Sequence, residues 1–250
     1  KSIVEALTNE AQYKTLEKNG SVDLAVDHKG LARFRCSLYK TRGTHAISIR
    51  MIPSKILPLD TIGYPESIKD ILKRPRGLVL LTGNAGTGKT TSLASMMEWI
   101  NTHSERHIVS IEDPIEYILH HKKCIVTQKE IGIDAPDFNT ALYASLKQDP
   151  DIICIPQLYD FDTIKGAVLA ADNGSLVFGT LNTTGAAQSI ERLIQGYPAA
   201  SHNEAKTEIS QTRLAGISQT LMRKVGGGVV VAYEIMMKTE AIANLIREDK

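Results

Sequence analysis

The residues best equipped for chemistry begin at Gly83. Gly83-Asn84-Ala85-Gly86-Thr87-Gly88-Lys89-Thr90 fits G-x-x-x-x-G-K-[ST] at every fixed position, and Thr91 follows it. An apolar strand pattern (78–82, LVLLT) precedes the motif and a helical pattern (89–101) follows, which is the context such a loop requires. Gly83, Gly86 and Gly88, with Thr87 between the last two, let successive backbone N–H groups curl around phosphate oxygens. The helix N-terminus adds partial positive charge there. In that arrangement the Lys89 ammonium reaches the β- and γ-phosphates and the Thr90 hydroxyl ligates Mg²⁺. The motif predicts binding of Mg-ATP or Mg-ADP.

A second group is acidic: Glu112-Asp113-Pro114-Ile115-Glu116. Read locally, Asp113-Pro114-Ile115-Glu116 is a helix capping box, with Asp as N-cap, Pro at N1 and Glu at N3. Arg35 and Arg50 sit on strand-like stretches and, read locally, are solvated strand positions.

Several elements must position these groups. Residues 1–18 read as one amphipathic helix ending at Gly20. Strands are expected at 22–26, 31–39 and 46–50. In the second, Ala32, Phe34, Cys36 and Leu38 share one face, and Leu31, Arg33, Arg35, Ser37 and Tyr39 share the other. Pro53, Pro58, Gly63 and Pro65 mark 53–65 as an interdomain linker. Beyond it, continuous apolar strands at 78–82, 107–111, 152–155 and 175–181 alternate with helical stretches at 89–101, 138–148, 162–172 and 185–195. That alternation means a parallel sheet covered on both faces. A strand at 229–233 and a helix near 240–247 close it. The fold class expected is α/β: a P-loop domain over 66–250 preceded by a partial small α+β domain over 1–52.

Bulk properties narrow the function. The chain has 250 residues, 42% of them hydrophobic and 23% charged, with a net charge of +1. Charge alone therefore gives no reason to expect a polyanion partner. Aromatics at 5% leave few stacking platforms, which disfavours a nucleic-acid motor. Cys36, Cys124 and Cys154, an odd count in apolar runs, read as buried reduced thiols of a cytosolic protein. No apolar run approaches the ~20 residues of a membrane span, so no direct membrane insertion is expected. The chain starts inside a helical pattern without Met and stops on Arg247-Glu248-Asp249-Lys250, which reads as trimming at both ends.

Further motifs carry a resemblance. Arg33-Phe34-Arg35, Arg50-Met51-Ile52-Pro53-Ser54-Lys55, Pro75-Arg76-Gly77-Leu78-Val79-Leu80, Ile111-Glu112-Asp113-Pro114-Ile115-Glu116 and Asp149-Pro150-Asp151-Ile152-Ile153 resemble the type II/IV secretion superfamily of ATPases, and within it the pilus retraction branch. Gly179-Thr180-Leu181, Ile217-Ser218-Gln219-Thr220-Leu221 and Val225-Gly226-Gly227-Gly228 agree with it too. The absence of CxxC pairs favours that branch over its zinc-bearing assembly relatives. The resemblance implies a RecA-like P-loop domain after a partial PAS-like domain, with the start of the first domain and a C-terminal helical region missing. It implies Glu116 as general base, with Glu112 beside it, and Arg35 and Arg50 placed against nucleotide phosphates. It also implies a homohexameric ring in which each sheet domain packs on a neighbour's ATPase domain. The ring would be cytoplasmic and peripheral at the inner membrane, docked on a pilus platform protein, without nucleic acid.

The sequence also departs from that family. Its second acidic segment, Gly-Glu-Met-Arg-Asp, is here Pro156-Gln157-Leu158-Tyr159-Asp160, so Gln157 replaces a carboxylate that helps hold Mg²⁺. Ser175 and Asn182 stand where the family has two histidines. Ala243 replaces an arginine in Ala241-Ile242-Ala243-Asn244-Leu245-Ile246-Arg247-Glu248, a motif tied to retraction. These changes raise a rival reading, a nucleotide-binding subunit with weakened turnover that regulates an active partner.

Overall fold

The computed structural model describes residues 3–28, 32–53, 55–212 and 214–248. Leu31 and Ser54, to which the sequence assigns places, lie outside the described residues. Two helices, α1 (Ile3–Leu7) and α2 (Glu10–Asn19), replace the single helix expected over 1–18. The break has a local cause. The Asn9 side chain accepts from the Gln12 N–H and Gln12 returns a bond to the Asn9 N–H, a capping box that starts a new helix. Gly20 then ends α2 with φ 78°, a left-handed conformation open to glycine at little cost.

The next strands, β1 (Ser21–His28), β2 (Ala32–Thr41) and β3 (Thr44–Ile52), form an antiparallel sheet in that order. Arg35 pairs with Arg50 and Cys36 with Ile49. Direct cross-strand partners share a face, so the two arginines lie on one side. Leu16, Leu24, Cys36 and Leu38 pack on the other, as the core of this small α+β unit.

The stretch read as a linker contains one short helix, α3 (Leu59–Ile62), and α4 (Ile68–Leu72) follows it. Leu59 and Ile62 are buried, and Leu59 joins the core of the larger sheet. Proline and glycine do punctuate the segment, but its apolar residues recur at helical spacing and find a hydrophobic surface to cover.

The larger unit runs β4 (Gly77–Thr82), α5 (Lys89–His103), β5 (His107–Glu112), β6 (Ile125–Glu130), α6 (Phe138–Leu146), β7 (Ile152–Ile155), α7 (Phe161–Asp172), β8 (Leu176–Leu181), α8 (Ala186–Gln195), α9 (His202–Gln211), β9 (Leu214–Arg223), β10 (Val229–Met237) and α10 (Glu240–Glu248). Strands β6 and β9 and helix α9 are additions to the expected elements. The seven-stranded sheet has the order β10-β9-β4-β8-β7-β5-β6. Neighbours are parallel throughout except at the edge, where β10 runs antiparallel to β9.

Alternation along β4 decides which layer each residue joins. Leu78 and Leu80 enter the core under α6, α7 and α9, whereas Val79 and Leu81 enter the core under α4 and α5. Both faces are buried, the arrangement expected of an α/β sheet. Asp137 and Asp160 cap α6 and α7 by accepting from the Thr140 and Thr163 N–H groups. Cys36, Cys124 and Cys154 are buried free thiols. No helix among the described residues is long and apolar enough to cross a membrane.

Candidate functional site

Parallel strands deliver their carboxyl ends to one edge of the sheet, and open α/β sheets form their ligand crevices there. Four of the segments that leave that edge carry the residues expected to do chemistry. β4 runs into the loop Gly83–Thr90, β5 ends at Glu112, β7 leads to Pro156-Gln157, and β8 leads to Asn182. The arginine face of the small sheet closes the opposite wall. Between them lies a cleft of about 500 Å³, within the size range of small-molecule sites.

The structure brings most of the expected residues to this cleft. Gly86, Gly88, Lys89, Thr90 and Thr91 form its floor. Glu112, Glu116, Gln157 and Asn182 face them, and Arg35 and Arg50 line the small-sheet side. The Lys89 ammonium donates to the Gly83 carbonyl (2.6 Å) and the Asn84 carbonyl (2.9 Å), and burial lowers its pKa. Gly83 and Thr87 stand behind the loop. A Cβ on Gly83 would meet the Gln219 carbonyl oxygen at 2.3 Å, so that residue must be glycine. The Thr87 hydroxyl donates to the Asn84 carbonyl at 2.9 Å.

Ser175 does not belong to the site. It precedes β8, and the six residues of that strand at about 3.3 Å each put roughly 20 Å between it and Asn182. Its hydroxyl donates to the Pro150 carbonyl at 2.9 Å and is buried. The view that this departure touches chemistry is corrected. Ala243 is likewise buried, on α10.

The acidic segment is not a helix start, so the capping-box reading is corrected as well. Residues 113–116 form a non-helical loop held by side chains from elsewhere. The Arg33 guanidinium donates to the Ile115 carbonyl (2.8 Å), and the Ile115 N–H donates to a Glu130 carboxylate oxygen (3.1 Å). The Gln128 amide donates to the Tyr117 carbonyl (2.9 Å) and to Glu112 (3.0 Å), and its oxygen accepts from the Leu119 N–H (2.8 Å). Sequence reasoning missed Gln128 and Glu130 because it missed β6.

Arg35 ties the two walls together. It donates to Glu116 at 2.8 Å and to Asp23 at 2.9 Å. Burial works against its charge, but the bonds to Asp23 and Glu116 outweigh burial and hold the guanidinium above its ordinary pKa. Both cleft arginines come from the same chain as the loop they face.

Glu112 is half-buried, and desolvation raises its pKa despite bonds from Ser110 (2.7 Å) and Gln128. A carboxyl whose folded pKa lies above its unfolded one favours the fold below the unfolded pKa. That contribution is lost as pH rises through the folded pKa. Glu112→Gln keeps both acceptor bonds without the charge. It is expected to raise Tm at about pH 8 by about 2–4 °C, the equivalent of ~1 kcal/mol, and to leave Tm unchanged near pH 4. Thermal melts at the two pH values check this. A lower Tm at pH 8 would mean that the ionised carboxylate is a stabilising partner rather than a strained one.

Residues 7–245 match the family described as Type II/IV secretion system protein. The type IV pilus "retractation ATPase PilT" of Pseudomonas aeruginosa is 43% identical over 250 residues, all of this chain and 72% of that one. A twitching motility protein of Neisseria gonorrhoeae is 38% identical over 250 residues, again all of this chain and 67% of that one. Among solved structures, the pilus retraction motor PilT with bound ADP superposes with a TM-score of 0.90 at 40% identity, covering 99% of this chain and 72% of that one.

Proposed function

The chain belongs to the type II/IV secretion system protein family, and on that premise we propose that it is an ATP-hydrolysing motor subunit for pilus retraction. The observation that carries this reading is the meeting of phosphate loop, acidic loop and arginine face in one cleft. The loop N–H groups and Lys89 hold the phosphates. Glu116 accepts the proton of the water that attacks the γ-phosphorus, and ADP leaves. Arg35 and Arg50 offset the charge that develops on the phosphoryl oxygens.

The donor set also suits Mg²⁺, which in phosphate sites takes one or two carboxylates and completes its shell with phosphate and water oxygens. Among the described residues no cluster of three or more His, Cys, Asp or Glu forms a dedicated cage. The Thr90 hydroxyl and the Gln157 amide oxygen, with Glu112 nearby, would hold the ion. It would supply neutralisation of the phosphate charge.

The Arg35–Glu116 bond makes the position of the small sheet and the orientation of the base one mechanical unit. Closure of the small sheet over nucleotide then couples chemistry to movement. By this reading the working unit is a homohexameric ring, cytoplasmic and peripheral at the inner membrane, docked on a pilus platform protein.

Gln157 favours a second reading, a nucleotide-binding subunit that turns over slowly and regulates an active partner. The amide keeps the shape of glutamate but not its charge, and Pro156 beside it fixes φ. A magnesium-dependent ATPase assay on the parent and on the Pro156→Gly/Gln157→Glu variant separates the two. If the missing carboxylate limits the site, turnover rises at least tenfold, equivalent to ~1.4 kcal/mol. A variant no faster than a slow parent supports the regulatory subunit.

A further inference from the structure

A buried polar chain behind the phosphate loop has no place in the mechanism so far. Gln219 on β9 is only 3% exposed, yet both ends of its amide are engaged. Its nitrogen donates to the Thr87 carbonyl at 2.7 Å, and its oxygen accepts from the Tyr64 hydroxyl. Tyr64 comes from the segment joining the two sheets. Its ring packs on Tyr233 with centroids 5.6 Å apart, and Tyr233 is the β10 partner of Gln219. Burial pushes the Tyr64 phenol up to about 12, so it stays a donor at neutral pH.

The position of Gln219 follows from register. Thr82 pairs with Ser218 in the parallel β4–β9 ladder, which sets Gln219 beside Gly83, where the loop leaves the sheet. That proximity is why the Gln219 carbonyl leaves no room for a Cβ on Gly83. One residue thus touches the loop at its first glycine through its backbone and at Thr87 through its side chain.

The consequence lies in peptide geometry. In a trans peptide the C=O of one residue and the N–H of the next point in opposite directions. Asp113–Pro114 is the one cis bond among the described residues, so the peptide between Thr87 and Gly88 is trans. A donor behind the loop that captures the Thr87 carbonyl forces the Gly88 N–H the other way. Gly88 lines the cleft, with φ 84°, where glycine lets the peptide take either orientation at similar cost.

We propose that Gln219, oriented by Tyr64, is a positioning residue that locks the Thr87–Gly88 peptide with its N–H facing the phosphates of the bound nucleotide. The inference rests on the P-loop reading and deepens it. Tyr64 matters because an amide can turn end for end. Its hydroxyl donates to the oxygen, which leaves the nitrogen for Thr87. The same contact ties the connecting segment to the phosphate loop, so a movement of the small sheet that displaces Tyr64 loosens the hold on nucleotide.

Gln219→Glu tests this, because a carboxylate of the same shape cannot donate to the Thr87 carbonyl and repels it. The full chain is titrated with ADP by calorimetry and assayed for ATP turnover, with parent and Lys89→Ala alongside. Parent affinity for ADP, lost in Lys89→Ala, decides the P-loop reading by itself. The ratio of Gln219→Glu to parent decides the inference. The expected result is ADP binding weakened at least tenfold and KM for ATP raised to match, with kcat within threefold of the parent. A general structural defect would lower kcat together with affinity. Tyr64→Phe should show the same split at three- to tenfold, and it carries the test alone if Gln219→Glu does not fold. ADP affinity within twofold of the parent in the folded variants, or kcat falling in step with affinity, would overturn the proposal.

Discussion

Lys89→Ala is expected to abolish nucleotide binding while leaving the protein folded. The ammonium reaches from the first turn of α5 over the loop and meets two phosphates of ATP in a site of this kind. Each hydrogen bond between charged partners contributes about 1.5–3 kcal/mol. Losing two removes about 3–6 kcal/mol, roughly 10²–10⁴ in Kd. The side chain's present bonds go to two loop carbonyls, those of Gly83 and of the exposed Asn84, and water can take the place of the ammonium at the second. Stability without nucleotide should therefore change little. Calorimetric titration with Mg-ATP measures the first effect. Thermal melts measure the second: nucleotide at a hundred times Kd stabilises the parent by about 2.7 kcal/mol, and that gain vanishes in the variant. Unchanged affinity in Lys89→Ala would remove the loop from the binding site altogether.

Glu116→Gln is expected to leave nucleotide affinity near that of the parent and to lower turnover by about 10²–10⁴, the usual contribution of a positioned general base. The amide still accepts from Arg35, so the 2.8 Å tie between the small sheet and the acidic loop persists. What is lost is the ability to take a proton. Single-turnover hydrolysis at saturating Mg-ATP isolates the chemical step and remains informative even where steady-state turnover is slow. Should Glu116→Gln keep a third or more of the parent rate, Glu116 is not the base. Glu112 would then replace it, since it lines the same cleft.

These two residues differ in how far the sequence discloses them. Lys89 can be read from one short motif. The loop chemistry resides in consecutive backbone groups, and glycine spacing with a strand before and a helix after encodes it directly. Glu116 is ambiguous in isolation. Asp-Pro-x-Glu satisfies a helix-start pattern, and only the absence of a helix at 113–116, with Arg35 81 residues away holding the carboxylate, removes that reading. Ser175 and Asn182 illustrate the converse. They look alike in the sequence, as polar replacements in one motif, but the direction of β8 sends them to opposite edges of the sheet.

The sequence by itself determined the phosphate loop, the doubly buried strands β4, β5, β7 and β8, the arginine face of the small sheet and the α/β class. All of these are set by backbone preference and hydrophobic period within a few residues. Tertiary structure alone decided which charged groups meet and which elements support them. Strand β6 shows why. On the face that carries Val126, Gln128 and Glu130, only Val126 joins the hydrophobic core while the two polar residues hold the acidic loop, so the apolar alternation that would announce a strand is missing. The same holds for Tyr64 and Gln219, 155 residues apart and joined by one buried bond. Side chains that serve a site break the hydrophobic pattern that makes an element legible. Their partners are fixed by strand order and direction, which no local periodicity carries.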